Sequence, residues 1–238
     1  MSNRGYNLFN KVAGIALVIF IAVLLFTAKQ QALAQEEQKN LKGQALVDKA
    51  LVTFTGFVND KNYTWLNDNL NKARGIMIFP QVLKAGFFWG GSGGTGVLLA
   101  RNENGTWSEP AFYTISSMQV GFLAGAQAAE VILMIMKDKA LDSLYTTSLK
   151  LGTGMASIAA GPVGAEAKSN ITSSMVTFSK AKGLYGGINL ESSVLTVRAK
   201  MNKEYYGKEV SPVQIIVEKK AHSEGSAKLR AALKKAAQ

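Results

Sequence analysis

A glycine-rich stretch is the first part of the sequence whose residue types could do chemistry. Residues 84–96 read KAGFFWGGSGGTG, with six glycines among thirteen residues. Glycine-rich loops bind phosphate through backbone N–H groups, but glycine also serves where the backbone must bend or approach another strand closely. A P-loop would continue with Gly-Lys-Ser/Thr, and a dinucleotide site would open a helix. Because strand-like VLLAR follows here, we interpret the glycines as structural, with a glycine-lined groove for an acyl chain or headgroup as the alternative.

Few residues are available for acid-base catalysis or metal binding. The 238-residue chain has no cysteine and a single histidine, His222, so disulfides, thiolate metal sites and a cysteine nucleophile are excluded. We interpret His222 as a solvent-exposed bystander in a Ser/Gly-rich tail. Glu130 interrupts an apolar run, and we expect it to pair with a base or to face solvent rather than to act as an acid of raised pKa. We therefore predict no enzymatic activity, no cofactor and no metal site.

Basic residues beside the predicted turns are better candidates, for binding an anion. The net charge is +11, which favours anionic partners, although a solvated basic surface is the alternative. We expect five of these residues to gather near one rim of a sheet, with two lysines of the first helix adding to the patch: Lys72, Arg74, Lys84, Lys180 and Lys182, and then Lys42 and Lys49. Near an anionic membrane each basic residue contributes on the order of 1 kcal/mol. Nucleic acid is not an expected partner, because the charges are dispersed.

The N-terminal residues 1–34 have the pattern of a signal peptide. Arg4 and Lys11 precede an uninterrupted apolar run at 12–26, and Ala32-Leu33-Ala34 fits a signal-peptidase site. The run is shorter than the roughly 20 residues that span a bilayer. We predict cleavage after Ala34, with an uncleaved anchor as the alternative, and export to the periplasm or cell envelope.

Periodicity divides the remaining chain into an α+β domain at 35–219 and a basic tail at 220–238. Residues 36–60 have an apolar stripe at helical spacing, which predicts a helix packed on the domain or, alternatively, lying on a membrane surface. A short second helix is predicted over 62–75, and another over 137–145. Apolar runs punctuated by glycine predict strands between residues 75 and 200, with a turn at the SGG of 92–94. The predicted fold is a strongly curved antiparallel sheet or partial β-barrel with flanking helices.

The C-terminal part carries two further signals. Ser211-Pro212 predicts a helix start, with serine as N-cap and proline in the first turn. The tail after residue 220 is rich in alanine and lysine and has only a thin apolar stripe. We expect it to form a frayed basic helix outside the core.

Several ordered motifs resemble the SYLF lipid-binding domain family. They are KARGIMIFPQVLKAGFFWGGSGGTGVLLAR at 72–101, Trp107 and Pro110, GPVGAEA at 161–167, and SKAKGLYGGINLE at 179–191. The resemblance covers residues 40–218 and implies a non-catalytic lipid-binding protein. Eukaryotic members bind phosphoinositides, and some bind actin; neither ligand is expected in a bacterial periplasm, whereas an anionic phospholipid is.

Together these features predict binding of anionic lipid or a lipid-like amphiphile at the bacterial cell envelope. The lysines and arginines would attract the headgroup, and Phe87, Phe88 and Trp89 or the first helix would insert into the apolar layer. The alternative is a structural envelope module that binds a protein or a cell-wall polymer.

Overall fold

The structure is a computed structural model that describes residues 26–27, 29–31, 40–86, 89–120, 125–164, 171–181 and 190–238. Its strands are β1 (Gly75–Gly86), β2 (Trp89–Ala100), β3 (Ala111–Val120), β4 (Gly125–Ile135), β5 (Ser148–Lys150), β6 (Ile158–Ala160), β7 (Met175–Ala181) and β8 (Val194–Val197). They form one eight-stranded sheet in the order β5-β8-β3-β2-β1-β4-β7-β6. All neighbours are antiparallel except β6 and β7. The sheet is strongly curled into a half-barrel, which confirms the predicted fold class.

Helices cover both faces of this sheet. They are α1 (residues 40–58), α2 (Thr64–Asn69), α3 (Asp138–Leu144), α4 (Ala199–Tyr206), α5 (Pro212–Ile216) and α6 (Ala227–Ala236). Short 3-10 turns lie at Lys61–Tyr63, Leu70–Lys72, Gly154–Ala156 and Glu224–Ser226. Among the described residues, no helix is both long and apolar enough to cross a membrane. Most of the apolar run at 12–26 lies outside the described residues.

Each face of the sheet has its own hydrophobic core, because successive side chains of a strand point to opposite sides. In β1, Met77 and Phe79 pack in one core with residues of α3 and α5. Ile76 and Ile78 pack in the other core with α1, α2 and α6. A strand that is covered on both faces reads as a continuous apolar run, which explains the GIMIF sequence.

Pro80 occupies a β-bulge in the middle of the sheet. The sequence leaves open whether β1 is an edge strand, but the structure places it between β2 and β4. The register of β1 shifts between Ile78 and Gln81 against β2, and between Phe79 and Val82 against β4. Proline has no N–H to donate to a ladder, and the bulge removes that requirement.

Residues 89–96 of the glycine stretch lie inside β2, so the predicted turn at residues 92–94 is wrong. Ser92, Gly93 and Gly94 are paired with β1 on one side and with β3 on the other. A Cβ at Gly94 would come within 2.4 Å of the Gln81 carbonyl oxygen. A Cβ at Gly96 would lie 2.3 Å from the carbonyl oxygen of Ile78. These two glycines are therefore required because the bulged strand approaches closely, and not to hold a phosphate.

The predicted helices are largely confirmed. The stripe of α1 packs on the domain through Val47, Ala50 and Phe54, each at most 1% exposed. The helix predicted over 137–145 is α3, and α5 begins after Ser211 with a capping box. The periodicity missed α4, since Arg198-Ala199-Lys200 continues the apolar alternation of β8 although the helix begins at Ala199.

The C-terminal tail is not the frayed outer helix that the sequence predicts. Leu229 and Leu233 of α6 have no exposed surface, and both belong to the core that contains α1. The thin apolar stripe is sufficient because it fits between other elements, so tertiary packing supplies the stability that the short helix lacks alone.

Candidate functional site

A groove of about 830 Å³ lies between α1 and the curled sheet beside the Pro80 bulge. The wall on the helix side is formed by Leu46, Lys49, Val52 and Thr53. The floor is formed by residues of β1, β2, β4 and β7: Pro80, Gln81, Leu83, Gly93, Gly94, Thr95, Ala128, Ala129, Glu130, Lys180 and Ala181. The volume falls within the range of small-molecule sites in proteins.

The floor of this groove is smooth because its strands contribute small side chains. Gly93 is paired with Leu83, which in turn is paired with Ala128 of β4. Paired residues of neighbouring strands point to the same side of a sheet. Leu83 is 53% exposed and Val52 of the helix wall is 70% exposed. The groove therefore offers apolar surface that the described residues leave uncovered.

A polar cluster lies at one side of the groove. Thr53 is 2% exposed, and its hydroxyl donates a 2.7 Å hydrogen bond to Oε1 of Glu130. Lys180 Nζ lies 2.8 Å from Oδ2 of Asp60. The hydrogen bond from the Lys180 ammonium and, to a smaller extent, the one from the Asn62 N–H hold the pKa of the Asp60 carboxyl below its ordinary value. The sequence singles out Glu130 and Lys180 but misses Thr53. The only feature that could have identified Thr53 is its position as a polar residue beside the apolar stripe of α1.

Where the structure describes them, the basic residues predicted to share one rim are dispersed. Arg74 precedes β1 and its Nε lies 3.2 Å from Asp138, whereas Lys84 lies near the other end of the same strand. Ten residues of strand separate them by roughly 30 Å. Lys84 also lies on the opposite face from Leu83, because strand residues alternate. Lys72 donates to Asn69 Oδ1 at 3.0 Å and is exposed.

Of the predicted binding residues, Lys49 and Lys180 line the groove. Lys42 precedes Lys49 by about two helical turns and is exposed. Phe87, Phe88 and Lys182 lie outside the described residues, and of Trp89 only its place at the start of β2 is described. The contribution of each of these residues to lipid binding stays a prediction.

His222 is exposed, as the sequence predicts, but it is held between two carboxylates and is therefore not a bystander. Its Nδ1 lies 2.8 Å from Glu109 and its Nε2 lies 2.8 Å from Glu224. Glu109 is 7% exposed and also accepts from the Ser226 hydroxyl at 2.7 Å, and Arg230 Nη2 lies 3.3 Å away. Ser226 is fully buried and bonds to the carboxylate instead of the imidazole, so the group has no base-activated nucleophile. The cluster fastens α6 to the segment that precedes β3.

The hydrogen bonds to Glu224 and Glu109 raise the pKa of His222 above its ordinary value. A raised folded-state pKa gives stability that is fully present below the unfolded pKa of about 6.5 and is lost as pH rises through the folded value. We expect the advantage of the wild type over His222→Gln in free energy of unfolding to be largest near pH 6 and to shrink toward pH 8.5. Urea unfolding across this range measures it. A pH-independent difference would contradict the assignment.

A second cavity of about 1010 Å³ lies between the start of α1, α4 and the 3-10 turn at Glu224–Ser226. Its lining is mostly polar and charged, and it includes Gln44, whose amide donates to Asp48 and to the Gly225 carbonyl oxygen. These bonds are internal to the fold, so the first groove is the stronger candidate.

The curled sheet with helices on both faces and a groove beneath α1 defines an α+β domain built around a half-barrel. By sequence, the chain belongs to the Ysc84 family, described as Las17-binding protein actin regulators, whose profile matches residues 116–236. This confirms the resemblance to the SYLF domain family. No solved structure matches.

Three characterised relatives illustrate the similarity. Protein YSC84 of Saccharomyces cerevisiae is 32% identical over 144 residues, covering 58% of this chain and 31% of that protein. SH3 domain-containing YSC84-like protein 1 of Bos taurus is 32% identical over 150 residues, covering 61% and 43%. LAS seventeen-binding protein 3 of S. cerevisiae is 31% identical over 146 residues, covering 59% and 32%. The chain therefore spans less than half the length of these relatives.

Proposed function

We propose that this protein binds anionic lipid or a lipid-like amphiphile at the bacterial cell envelope without catalysing a reaction. The groove between α1 and the sheet carries the proposal, because it combines uncovered apolar surface with lysine side chains. Residues 1–34 would direct export, and residues 35–219 would form the binding domain.

The apolar part of the ligand would lie along the smooth floor. Leu46 and Val52 of α1 and Leu83 of β1 supply aliphatic contacts. Covering such surface is favourable by about 25 cal/mol per Å² of apolar area. The small residues of β2 and β4 leave room for an extended chain against the strands.

The charged part of the ligand would lie beside α1. Lys49 lines the groove and Lys42 precedes it on the same side of the helix. The net charge of +11 would attract the protein to an anionic surface. Phe87, Phe88 and Trp89, which follow the last residue of β1 in the sequence, would add apolar insertion.

We expect Lys42→Glu/Lys49→Glu to weaken binding to anionic vesicles about tenfold or more, since each basic residue near such a surface contributes on the order of 1 kcal/mol. Flotation with vesicles of graded phosphatidylglycerol and cardiolipin content, at low and high salt, measures it. The matched control is Lys228→Glu/Lys235→Glu, which makes the same charge change at the same spacing on α6, where both lysines are exposed.

Three outcomes of this flotation are informative. Binding that collapses with salt and with the α1 variant alone would support the headgroup contact. An equal loss of vesicle binding in both double variants would show that only the net charge of the protein matters, and not the contact made by α1. Absence of binding to every mixture would overturn the proposal.

A protein partner is the second candidate function. The family description and the name of LAS seventeen-binding protein 3 refer to Las17 binding in the relatives. Leu83 and Met118, the latter 90% exposed, are apolar residues on the sheet that a partner would cover. Cross-linking in cells, without lipid affinity in the purified protein, would favour this function or binding to a cell-wall polymer.

A further inference from the structure

We propose that the groove selects a phospholipid whose headgroup carries both a phosphate and an ammonium group with N–H donors, as in a phosphoethanolamine headgroup. Glu130 would accept hydrogen bonds from the ammonium group, and Lys49 would contact the phosphate. This inference rests on the proposed function and narrows it: the amphiphile of the same groove would be a zwitterionic phospholipid, bound through its anionic phosphate and its ammonium group together rather than through net negative charge.

The carboxylate of Glu130 is held in place by one hydrogen bond and can accept more. It lies opposite the bulge of β1, where Pro80 and Gln81 face one residue of β4. The buried hydroxyl of Thr53 holds Oε1 at 2.7 Å. Within the described part of the chain, Glu130 forms no other hydrogen bond and no ion pair. A carboxylate offers about four acceptor positions, so further donors fit beside it.

The basic residue nearest in register does not neutralise this carboxylate. Lys180 of β7 is the strand partner of Glu130. Its ammonium group lies 2.8 Å from Asp60 instead, on the segment that follows α1. The groove therefore keeps a negative group beside its positive wall, which a purely anionic headgroup would not complement.

Lys49 is placed to contact a phosphate when Glu130 contacts an amine. Lys49 lies one helical turn before Thr53 on α1, and residues at this spacing are about 5–6 Å apart between their Cβ atoms. Among the described residues it forms no ion pair. In phosphoethanolamine only two carbons join the phosphate to the amine, so both groups can reach this pair of side chains at once.

The lining also distinguishes between amines. Quaternary ammonium groups are typically bound by aromatic cages, and no aromatic ring belongs to the described residues that line the groove. A primary ammonium group, in contrast, makes short charge-assisted hydrogen bonds to a carboxylate. The lining therefore favours a primary amine over a choline headgroup.

The test measures binding of monomeric short-chain lipids to the full chain by calorimetry, which separates the groove from attraction to a charged surface. The probes are dihexanoyl phosphatidylethanolamine, phosphatidylcholine and phosphatidylglycerol. We expect the ethanolamine lipid to bind about tenfold more tightly than the choline lipid, as one charge-assisted hydrogen bond predicts. Glu130→Gln should abolish this preference by weakening ethanolamine binding, and Lys49→Gln should weaken all three lipids.

The controls separate this inference from the proposed function. Glu103→Gln makes the same change at an exposed turn and should leave all affinities unchanged. Glutamine retains an acceptor for Thr53, and an unchanged unfolding midpoint would show that Glu130→Gln is folded. Equal binding of the three lipids, unaffected by Glu130→Gln, would overturn the inference and leave the proposed function standing. No binding of any lipid would overturn both.

Discussion

Gly96→Ala is expected to lower the free energy of unfolding by roughly 3 kcal/mol or more, at the upper end of overpacking effects. The added Cβ would lie 2.3 Å from the Ile78 carbonyl oxygen and 2.5 Å from the ring of Phe79. Neither neighbour can move cheaply, because Ile78 is part of the central ladder and Phe79 is fully buried. Chemical denaturation monitored by circular dichroism measures the change.

Gly93→Ala is the matched control for this prediction. It makes the same change three residues earlier on β2, where the nearest atom to the added Cβ is the Ile115 carbonyl oxygen at 3.7 Å. That distance is an ordinary contact, so we expect a change within about 0.5 kcal/mol. If both variants unfolded at the same denaturant concentration, the close approach at the bulge would not explain the glycine.

Leu233→Ala is expected to lower the free energy of unfolding by about 2–5 kcal/mol, the range for a buried leucine replaced by alanine. Leu233 has no exposed surface and lies in the core formed with α1. The truncation would leave a cavity between α6 and the other elements of this core, and the cavity would persist because their positions are fixed by the rest of the fold. Equilibrium urea unfolding measures the loss.

Lys235→Ala, on the exposed side of the same helix, should change the free energy of unfolding by no more than about 0.5 kcal/mol. Hydrogen exchange provides an independent readout, since the amides of a packed α6 should exchange far more slowly than those of a frayed end. A Leu233→Ala variant as stable as Lys235→Ala would show that the helix frays in solution.

Local patterns in the sequence predict elements well where local chemistry determines them. The serine and proline at 211–212 form the N-terminus of α5 because a side-chain cap and a fixed φ act within one turn. The apolar stripe of α1 is similarly informative, whereas the glycines at 92–94 wrongly indicate a turn within β2. By contrast, whether α6 is packed or frayed depends on contacts with residues of α1, near the other end of the chain. A short apolar stripe does not indicate which residues will cover it.

The candidate site was only partly predictable for the same reason. The unusual sequence position of Glu130 identifies it as a residue of interest, but its hydrogen bond to Thr53 joins residues that are 77 positions apart. The basic residues beside the turns look equivalent in the sequence. The direction of β1 places Arg74 and Lys84 near its two different ends. The alternation of side chains along the strand places Lys84 on the face of the sheet opposite the groove residue Leu83. The register of the sheet determines which charged side chains lie close together, and the sequence does not specify that register.

The joining of α6 to α1 has a consequence for how the protein is made. The amide of Gln44 donates to the Gly225 carbonyl oxygen across 181 positions, and both helices contribute to one core. A ribosome must therefore release nearly the whole chain before this core can close. Until then α1 and the adjacent sheet face expose apolar surface that chaperones can bind. In the export that we propose, this late closure would leave the core between α1 and α6 open until nearly the whole chain has been made.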